Sequence, residues 1–330
     1  MKDVKLSEWS QVKIDFAQIE ESRLKGEERF RKNTTEFLKQ LEAHIPAGAN
    51  VLFAHLMAGG VPRTKIVMPL MNRICKGEGD RYLSSLEFWN SDIGRVCAMS
   101  FDSVTAHTFY HLLDLSTSLR EKWRAEGRQV SYVAYGYHGT EIFFNNKYQW
   151  QCYAPYIQGW AKMKLENMAD HFMRQGVSAC VYNCPEILTN SSSIFQGVEI
   201  PLYRLILALK KEKSSSSAVQ NLIDQCRLLL NQPEDLEKIF DRIESLLNES
   251  EIKDQNHYEK WPMHSSKTQL GKMLQASDEI ISFHKDPKNL MTGTLSEVIF
   301  KSCGYVMLHD GYQAKAPSAW LNHDICARGF

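Results

Sequence analysis

The chain has 330 residues, which is enough for one large α/β domain or two smaller ones with a full hydrophobic core. It contains 39 Lys and Arg and 39 Asp and Glu, so its net charge is zero. Proteins that bind nucleic acid or a membrane surface usually present a strongly basic face, so the balance argues against both kinds of partner.

The sequence shows no signal for export, membrane insertion or metal binding. Its N-terminus is charged from Lys2 onward, and no apolar run reaches membrane-spanning length. Eight cysteines are scattered without a Cys-x-x-Cys pair, which favours reduced, buried thiols. His107 and His111 have a metal-like i,i+4 spacing, but no further ligand follows. We therefore expect a cytoplasmic protein without a metal.

Hydrophobic periodicity predicts an alternation of strands and helices after a polar, helical segment over residues 1–45. That segment has an apolar stripe made of Phe30, Phe37, Leu38, Leu41 and Ile45. Residues 50–57, 129–136 and 177–183 are short apolar runs, typical of strands covered on both faces. Helical patterns at 103–126 and 157–175 separate them. The order predicts right-handed crossovers and therefore a Rossmann-like α/β fold with adjacent parallel strands.

The chain turns helical after Pro201. Residues 202–211, 218–248 and 267–284 have helical patterns, and Ser214–Ser217 forms a polar connection. We expect residues 1–213 to form the core and residues 214–330 to pack on it as a helical portion. The default interpretation of the segment 320–324 is a packed tail.

Candidate site residues follow the predicted strands, because ligands of doubly wound sheets bind outside the carboxyl ends of the strands. After the first strand, Ala58, Gly59 and Gly60 allow close approach of another molecule, or form a plain turn. After the third strand, the hydroxyls and the amide of residues 189–193 can bind polar groups of a ligand. They can equally form turns and a helix cap.

The segment after the second strand combines tyrosines with a lysine. Tyr137, Tyr153 and Tyr156 precede a helix that carries Lys162 just beside its apolar stripe. A nearby ammonium favours the phenolate, which lowers the pKa of a tyrosine and suits it to share a proton. In the alternative interpretation the tyrosines pack in the core and Lys162 is solvated.

Together these segments resemble the FabV type of trans-2-enoyl-CoA and enoyl-ACP reductases. This family is a divergent branch of the short-chain dehydrogenase superfamily and has a Tyr-x8-Lys motif. Tyr153 and Lys162 have that spacing, and residues 133–141 (VAYGYHGTE) are similar to the segment leading into the motif. Residues 187–194 and 201–203 are similar to the family's substrate-side loop and helix. The resemblance covers roughly residues 50–230.

The resemblance implies NADH or NADPH as cofactor and specific roles for individual residues. It implies that Lys162 holds the cofactor ribose and tunes Tyr153, and that Tyr153 hydrogen-bonds the thioester carbonyl. Tyr137 would be a second phenol at that carbonyl. The remaining expected contacts are Ala58, Gly59 and Thr189 to the cofactor, and Ser191, Ser192 and Tyr156 to the substrate.

The sequence departs from the family in two places. About six extra residues lie around 143–148, and no GxxxGxG or GxGxxG turn is present to hold a dinucleotide pyrophosphate. The resemblance places residue 1 near the family's third strand. Either it is an incomplete version of a longer protein, or a companion chain supplies the missing part, or cofactor binding has been lost. An open edge at strand 50–57 also predicts poor solubility, a homo-oligomer, or cover by the chain's own N-terminal segment.

The main hypothesis is NAD(P)H-dependent reduction of the carbon–carbon double bond of trans-2-enoyl thioesters. The acyl group would be carried on CoA or on acyl carrier protein (ACP), in metabolism of the fatty acid or polyketide type. A rival hypothesis is a non-catalytic, reductase-like scaffold that has lost cofactor binding. A third is another carbonyl reductase that uses the same tyrosine and lysine.

Overall fold

The computed structural model describes residues 4–57, 59–60, 62, 64–137, 141–144, 147–150, 159–188, 196–253 and 266–328. The α-helices are α1 (Phe16–Leu41), α2 (Val67–Lys76), α3 (Ser85–Asn90), α4 (Asp92–Phe101), α5 (Thr108–Leu115), α6 (Thr117–Ala125), α7 (Gly159–Arg174), α8 (Glu199–Glu212), α9 (Ser217–Leu229), α10 (Asp235–Asn248), α11 (Ser250–Lys253), α12 (Lys267–Ser282) and α13 (Thr292–Asp310). A π-helix, Asp102–His107, joins α4 to α5. The strands are β1 (Val51–His55), β2 (Val130–Gly136), β3 (Glu141–Phe144), β4 (Lys147–Trp150), β5 (Ser178–Asn183) and β6 (Ser318–Trp320).

Four of the strands form a parallel sheet in the order β1-β2-β5-β6. In its register, Val51 of β1 pairs with Val130 of β2, and Ser131 of β2 pairs with Ser178 of β5. The α2–α6 segment connects β1 to β2, and α7 lies between β2 and β5 in the chain. The predicted α/β fold, with three adjacent parallel strands, is therefore confirmed.

One face of the sheet is covered by α5, α6 and α7. Phe53 of β1 and Tyr132 of β2 stack on this face with ring centroids 5.0 Å apart. Leu165 and Ala169 of α7 are fully buried against the same cluster. Burial of these apolar side chains stabilises the near-continuous apolar strands in the parallel sheet.

The other face is covered by the helices that follow residue 199. Val133 of β2 and Tyr182 of β5 belong to one hydrophobic cluster with side chains of α8, α9, α10, α12 and α13. Gly311, directly after α13, approaches β2 so closely that an added Cβ would lie 2.8 Å from Val133 Cγ1. The sheet and the C-terminal helices thus share one core.

The C-terminal segment adds the fourth strand, β6, to this sheet. The three residues of β6 pair in parallel with β5, and Leu321 N donates to the Asn183 carbonyl at 2.9 Å. His323 is buried, and its Nε2 lies 2.7 Å from Glu212 Oε2 of α8. A three-residue strand is too short to produce a periodic pattern, so the sequence indicates only a packed tail there.

Three further elements differ from the sequence predictions. The predicted helix 218–248 is two helices, because Pro233 lacks the N–H that a continuous helix needs and α9 ends at Leu229. The strands β3 and β4 form an antiparallel pair that was not predicted. Phe37 is 55% exposed and does not belong to the buried stripe of α1, whereas Leu38 is buried.

Within the described part of the chain, no helix has both the length and the apolar character needed to cross a bilayer.

Candidate active site at the carboxyl edge of the sheet

The carboxyl ends of three adjacent strands meet at one edge of the sheet. His55 is the last residue of β1, Gly136 the last of β2 and Asn183 the last of β5. His55 pairs with Ala134, and Gly136 pairs with Asn183. The side chains of His55 and Asn183 therefore emerge on the face that α7 covers. This edge is where parallel α/β sheets bind their ligands.

Lys162 lies in the first turn of α7 and is only 1% exposed. Its Nζ donates to the Tyr135 carbonyl at 2.7 Å and lies 5.6 Å from the centre of the Tyr135 ring. Burial lowers the pKa of Lys162 to about 8, and the nearby Cys184 thiol partly offsets this effect. The alternative of a solvated lysine is therefore wrong. A buried ammonium with three donors and a single hydrogen-bond acceptor among the described residues has donors available for a ligand.

His55 is 5% exposed and occupies a defined tautomer. The Thr108 hydroxyl donates its one proton to the Val104 carbonyl at 2.7 Å, so it accepts from His55 Nε2–H at 2.9 Å. His55 Nδ1 is then a bare acceptor, and it is buried without a hydrogen-bond partner among the described residues. Burial and, secondarily, the Lys162 ammonium lower the pKa of His55 to about 3, so the ring is neutral at neutral pH.

Asn183 is oriented by a carboxylate on α7. Its Nδ2 donates to Glu166 Oε1 at 2.9 Å, and a carboxylate can only accept, so the amide oxygen points the other way. That oxygen lies against Gly136, where an added Cβ would come within 2.1 Å of it. Only glycine leaves room for Asn183 at the end of β2. The Asn183 oxygen is a second buried acceptor without a partner in the described part of the chain.

Tyr137 follows β2 and is held by a buried carboxylate. Its hydroxyl donates to Glu186 Oε2, and Glu186 Oε1 accepts from the Ile187 backbone N–H at 3.1 Å. Glu186 is 4% exposed. The structure thus places Tyr137 at the predicted edge, with its proton committed to Glu186 in this conformation.

Gly59, which follows β1, lies against the π-helix. Its carbonyl accepts from Thr105 Oγ1 at 2.8 Å. An added Cβ at Gly59 would meet only Val104 Cγ1, at 3.6 Å. Gly60 has φ +117° and approaches the Phe101 backbone, where a Cβ would come within 2.6 Å. The turn after β1 is therefore held by the end of α4 and by the π-helix. Single π-helical turns within α-helices are frequent at functional sites.

A cavity of about 520 Å³ opens between α1, the turn after β1 and the π-helix. Its wall includes Met57, Phe30 and Val104 as apolar groups and His107 and Thr108 as polar groups. Because Thr108 is the partner of His55, the cavity adjoins the buried polar side chains at the edge of the sheet. No motif in the sequence indicated this cavity, since its walls come from elements that are far apart in the chain.

Several predicted site residues lie outside the described residues. They are Tyr153, Tyr156, Ala58, Thr189, Ser191 and Ser192. The distance between Tyr153 and Lys162, expected at about 4–6 Å, stays a prediction. Among the residues that the structure describes, no group of three or more His, Cys, Asp or Glu side chains is arranged to hold a metal ion.

Sequence reasoning missed His55, Asn183 and Glu186 as members of this site. Each is the terminal residue of a predicted strand or lies within three residues of one. That position was the available signal, but the sequence prediction selected tyrosine and hydroxyl side chains instead. Burial, which only the fold supplies, separates these three side chains from ordinary loop residues.

The described geometry is that of an α/β enzyme with its ligand site at the carboxyl edge of a parallel sheet. A profile of the enoyl-acyl carrier protein reductase FabMG family matches residues 1–330. The chain therefore belongs to the FabMG family of enoyl-ACP reductases, which are oxidoreductases.

Two solved structures are similar over nearly the whole chain. The apo structure of FabMG, described as a novel type of enoyl-ACP reductase, is 42% identical with a TM-score of 0.92. The match covers 99% of this chain and 74% of that chain. The NADH-bound structure of FabMG is 38% identical with a TM-score of 0.79 and covers 99% and 76%, respectively. No curated protein matches the chain at a significant level.

Proposed function

We propose that this protein reduces the carbon–carbon double bond of trans-2-enoyl thioesters with NADH. The observation that carries the proposal is Lys162, a buried ammonium with available donors at the carboxyl edge of the sheet, in a chain of an enoyl-ACP reductase family. The NADH in a relative's structure supports the choice of cofactor. NADPH, which the sequence left open, is the alternative cofactor to be tested.

The residues at this edge fit a dinucleotide. A ribose hydroxyl can accept from the Lys162 ammonium, and its own proton then needs an acceptor. A buried acceptor without a described partner, Asn183 Oδ1, lies on the same face of the sheet as Lys162. Gly59 and, by resemblance, Ala58 and Thr189 would line the cofactor as well.

Bound NADH supplies the hydride that adds to the β-carbon of the enoyl thioester. The chain's own residues then stabilise the negative charge that develops on the thioester oxygen and provide the proton that the α-carbon takes up. We assign the hydrogen bond to that oxygen to Tyr153, with Lys162 favouring its phenolate, as in the FabV type. Relatedness to that type and to the short-chain dehydrogenases is part of the proposal.

We propose acyl-ACP as the physiological substrate, because the family is one of enoyl-ACP reductases. A CoA thioester would then be an analogue that shares the reacting group. Tyr137, Tyr156, Ser191 and Ser192 are proposed to contact the thioester side of the substrate. The hydroxyl of Tyr137 would have to leave Glu186 before it could donate to a substrate carbonyl.

The test is NADH oxidation with crotonyl-ACP and crotonyl-CoA, in parallel with NADPH. Tyr153→Phe should lower turnover about 100- to 1000-fold, as the loss of one donor to a developing oxyanion does. Lys162→Met should weaken NADH binding and turnover together, each by about 10- to 100-fold, as the loss of a charged hydrogen bond does. Lys164→Met is the matched control, because Lys164 lies two residues further along α7 and pairs with Asp102 at the surface.

Three outcomes would contradict the proposal. Near wild-type turnover of Tyr153→Phe would transfer the role to Tyr137 or Tyr156. Oxidation of NADH with a ketone but not with an enoyl thioester would indicate a carbonyl reductase. A wild-type protein that binds neither nicotinamide cofactor would be a scaffold.

A further inference from the structure

His55 and Lys162 converge on the same side of the sheet. His55 pairs with Ala134, and Ala134 belongs to the same hydrophobic cluster as Leu165 of α7. Lys162 precedes Leu165 by three residues, so both lie on the face of α7 that covers the strands. The Tyr135 carbonyl, which accepts from Lys162 Nζ, is one residue beyond Ala134.

The two side chains are complementary, because Lys162 has unused N–H donors and His55 has an unused acceptor nitrogen. Lys162 has three N–H donors, and one of them is bonded to the Tyr135 carbonyl. His55 Nδ1 is a buried acceptor without a hydrogen bond among the described residues. A buried acceptor left without a partner costs free energy, so its retention calls for a donor or an ordered water.

The acidic groups near Lys162 are already committed to other donors. Glu166, one turn further along α7, accepts from Asn183. Asp102 of the π-helix pairs with Lys164, which points away to the surface. Among the described residues, neither carboxylate accepts a hydrogen bond from Lys162.

The other groups that face Lys162 come from the strands. Tyr135 of β2 contributes its carbonyl and its ring, and Cys184, just after β5, contributes a thiol that raises the pKa of Lys162. His55 of β1 contributes a neutral ring. His55 Nδ1 has no described partner, and neither do the Tyr135 hydroxyl and the Asn183 amide oxygen. The charge of Lys162 acts on His55, which places the two side chains close together.

We propose that His55 is a positioning residue, whose Nδ1 accepts a hydrogen bond from one buried water that in turn accepts from Lys162 Nζ. Thr108 fixes the tautomer, so that Nδ1 is the acceptor. His55 thereby stabilises the ammonium form of Lys162 and aims its remaining donor at the cofactor. The inference rests on the proposed function for the cofactor, but the bond itself belongs to the ligand-free protein as well.

Two substitutions distinguish the roles of the two ring nitrogens of His55. His55→Asn places an amide oxygen near the position of Nδ1 and loses the bond to Thr108. His55→Gln places an amide nitrogen near the position of Nε2, so it keeps the bond to Thr108 and loses the Nδ1 acceptor. Thr108→Val removes the hydroxyl and leaves His55 in place.

The first measurement is the pH dependence of the NADH dissociation constant, with the fluorescence of NADH as the binding signal. The affinity of the wild type should fall as the pH rises through the pKa of Lys162, because the ammonium is lost. In His55→Gln the midpoint should move down by about one pH unit, as the loss of a hydrogen bond to a charged group predicts. In His55→Asn it should stay within a few tenths of the wild-type midpoint.

The second measurement needs no cofactor. The Cε resonance of Lys162, assigned by its absence in Lys162→Met, reports the titration of the amine in the ligand-free protein. The same downward shift in His55→Gln alone supports the proposal. A shift in His55→Asn and Thr108→Val but not in His55→Gln would overturn it, since the bond to Thr108 would then be what matters. No shift in any variant would overturn it too.

The two readouts also distinguish the two proposals. If the wild type does not bind NADH but the resonance shifts as expected, the proposed function fails and His55 still positions Lys162. If NADH binds and neither readout moves in His55→Gln, the proposed function stands and this inference fails.

Discussion

The burial of Lys162 has a cost in stability that its proposed role in binding explains. The fold buries its ammonium and lowers its pKa from 10.5 to about 8. At about 1.4 kcal/mol for each unit, the charged form destabilises the folded state by roughly 3 kcal/mol at neutral pH. A side chain that served only packing would avoid this cost, since an apolar residue of similar length fits the same space.

We therefore predict that Lys162→Met stabilises the protein while it weakens cofactor binding. The gain should be about 2 kcal/mol, because the bond to the Tyr135 carbonyl, about 1 kcal/mol, is lost as well. Urea unfolding at pH 7 measures the change. Lys164→Met should change the free energy of unfolding by less than about 1 kcal/mol, since surface ion pairs contribute little. A destabilised Lys162→Met would show that the hydrogen bonds of the ammonium outweigh the cost of its burial.

The π-helix Asp102–His107 is the element that links the turn after β1 to the site. Thr105 of the π-helix donates to the Gly59 carbonyl after β1, and Thr108, the first residue of α5, accepts from His55 at the end of β1. A wider turn shifts the following side chains around the axis relative to a regular α-helix. The position of the turn after β1 is therefore set by the geometry of this one helical turn.

We predict that Thr105→Val loosens that turn with a modest loss of stability. Valine has the shape of threonine but lacks the hydroxyl, so the loss should be about 1–2 kcal/mol. Amide exchange in residues 56–66 should become faster, and the NADH dissociation constant should rise several-fold. Ser103→Ala is the control, because the Ser103 hydroxyl bonds only within the helix, to the Met99 carbonyl. Unchanged exchange in Thr105→Val would show that other contacts hold the turn.

At the scale of the whole molecule, the sheet and the C-terminal helices share a hydrophobic cluster. Tyr182 of β5 and Val133 of β2 pack in one cluster with Ile239 of α10 and Ile299 of α13. β6, which comes from the last residues described, pairs with β5. Residues 1–213 would lose these contacts if the chain were divided at the predicted boundary.

We therefore predict a single cooperative unfolding transition for residues 1–213 and 214–330. Near-ultraviolet and far-ultraviolet circular dichroism should give the same urea midpoint. A fragment of residues 1–213 should not show a native-like transition, because it lacks α9–α13, which share the hydrophobic cluster on one face of the sheet, and β6, which pairs with β5. Two separated transitions would show that the C-terminal portion folds as an independent domain.

The pH dependence of stability should also reflect the buried histidines. The pKa of His55 is about 3 in the folded protein, against 6.5 as its ordinary value, and burial lowers the pKa of His111 and His284 as well. As the pH falls below about 6.5, the unfolded chain takes up the proton first, so the folded state loses stability. The contribution of His55 is thus fully present above pH 6.5 and is lost on acidification.

Between pH 6.5 and pH 5, His55 alone should account for a loss of about 2 kcal/mol, at about 1.4 kcal/mol for each pH unit. Urea midpoints at the two pH values measure it. His55→Asn should flatten the dependence by that amount, and substitution of the exposed His44 should not. The same slope in wild type and His55→Asn would show that His55 is not protonated on unfolding in this range.

The sequence by itself determined the sheet and its crossovers. The apolar runs of β1, β2 and β5 and the 3.6-residue stripes of α5–α7 are local patterns, because burial on both faces or on one face leaves a periodic record in the chain. It also pointed to Lys162 and Tyr137, since the end of each strand is a position in the sequence. Pro233 is a sequence signal for the break between α9 and α10. The apolar periodicity of residues 218–248 runs across it, and the sequence prediction followed that periodicity.

The tertiary structure decided what those positions do. That Lys162 is buried depends on α7 lying over the strand ends, and that His55 Nδ1 lacks a partner depends on Thr108, which is 53 residues away in the chain. The same holds for β6, which becomes a strand only because β5 offers it a pairing edge. Hydrogen-bond partners, burial and pKa arise from contacts between distant segments, and a one-dimensional pattern carries no record of such contacts.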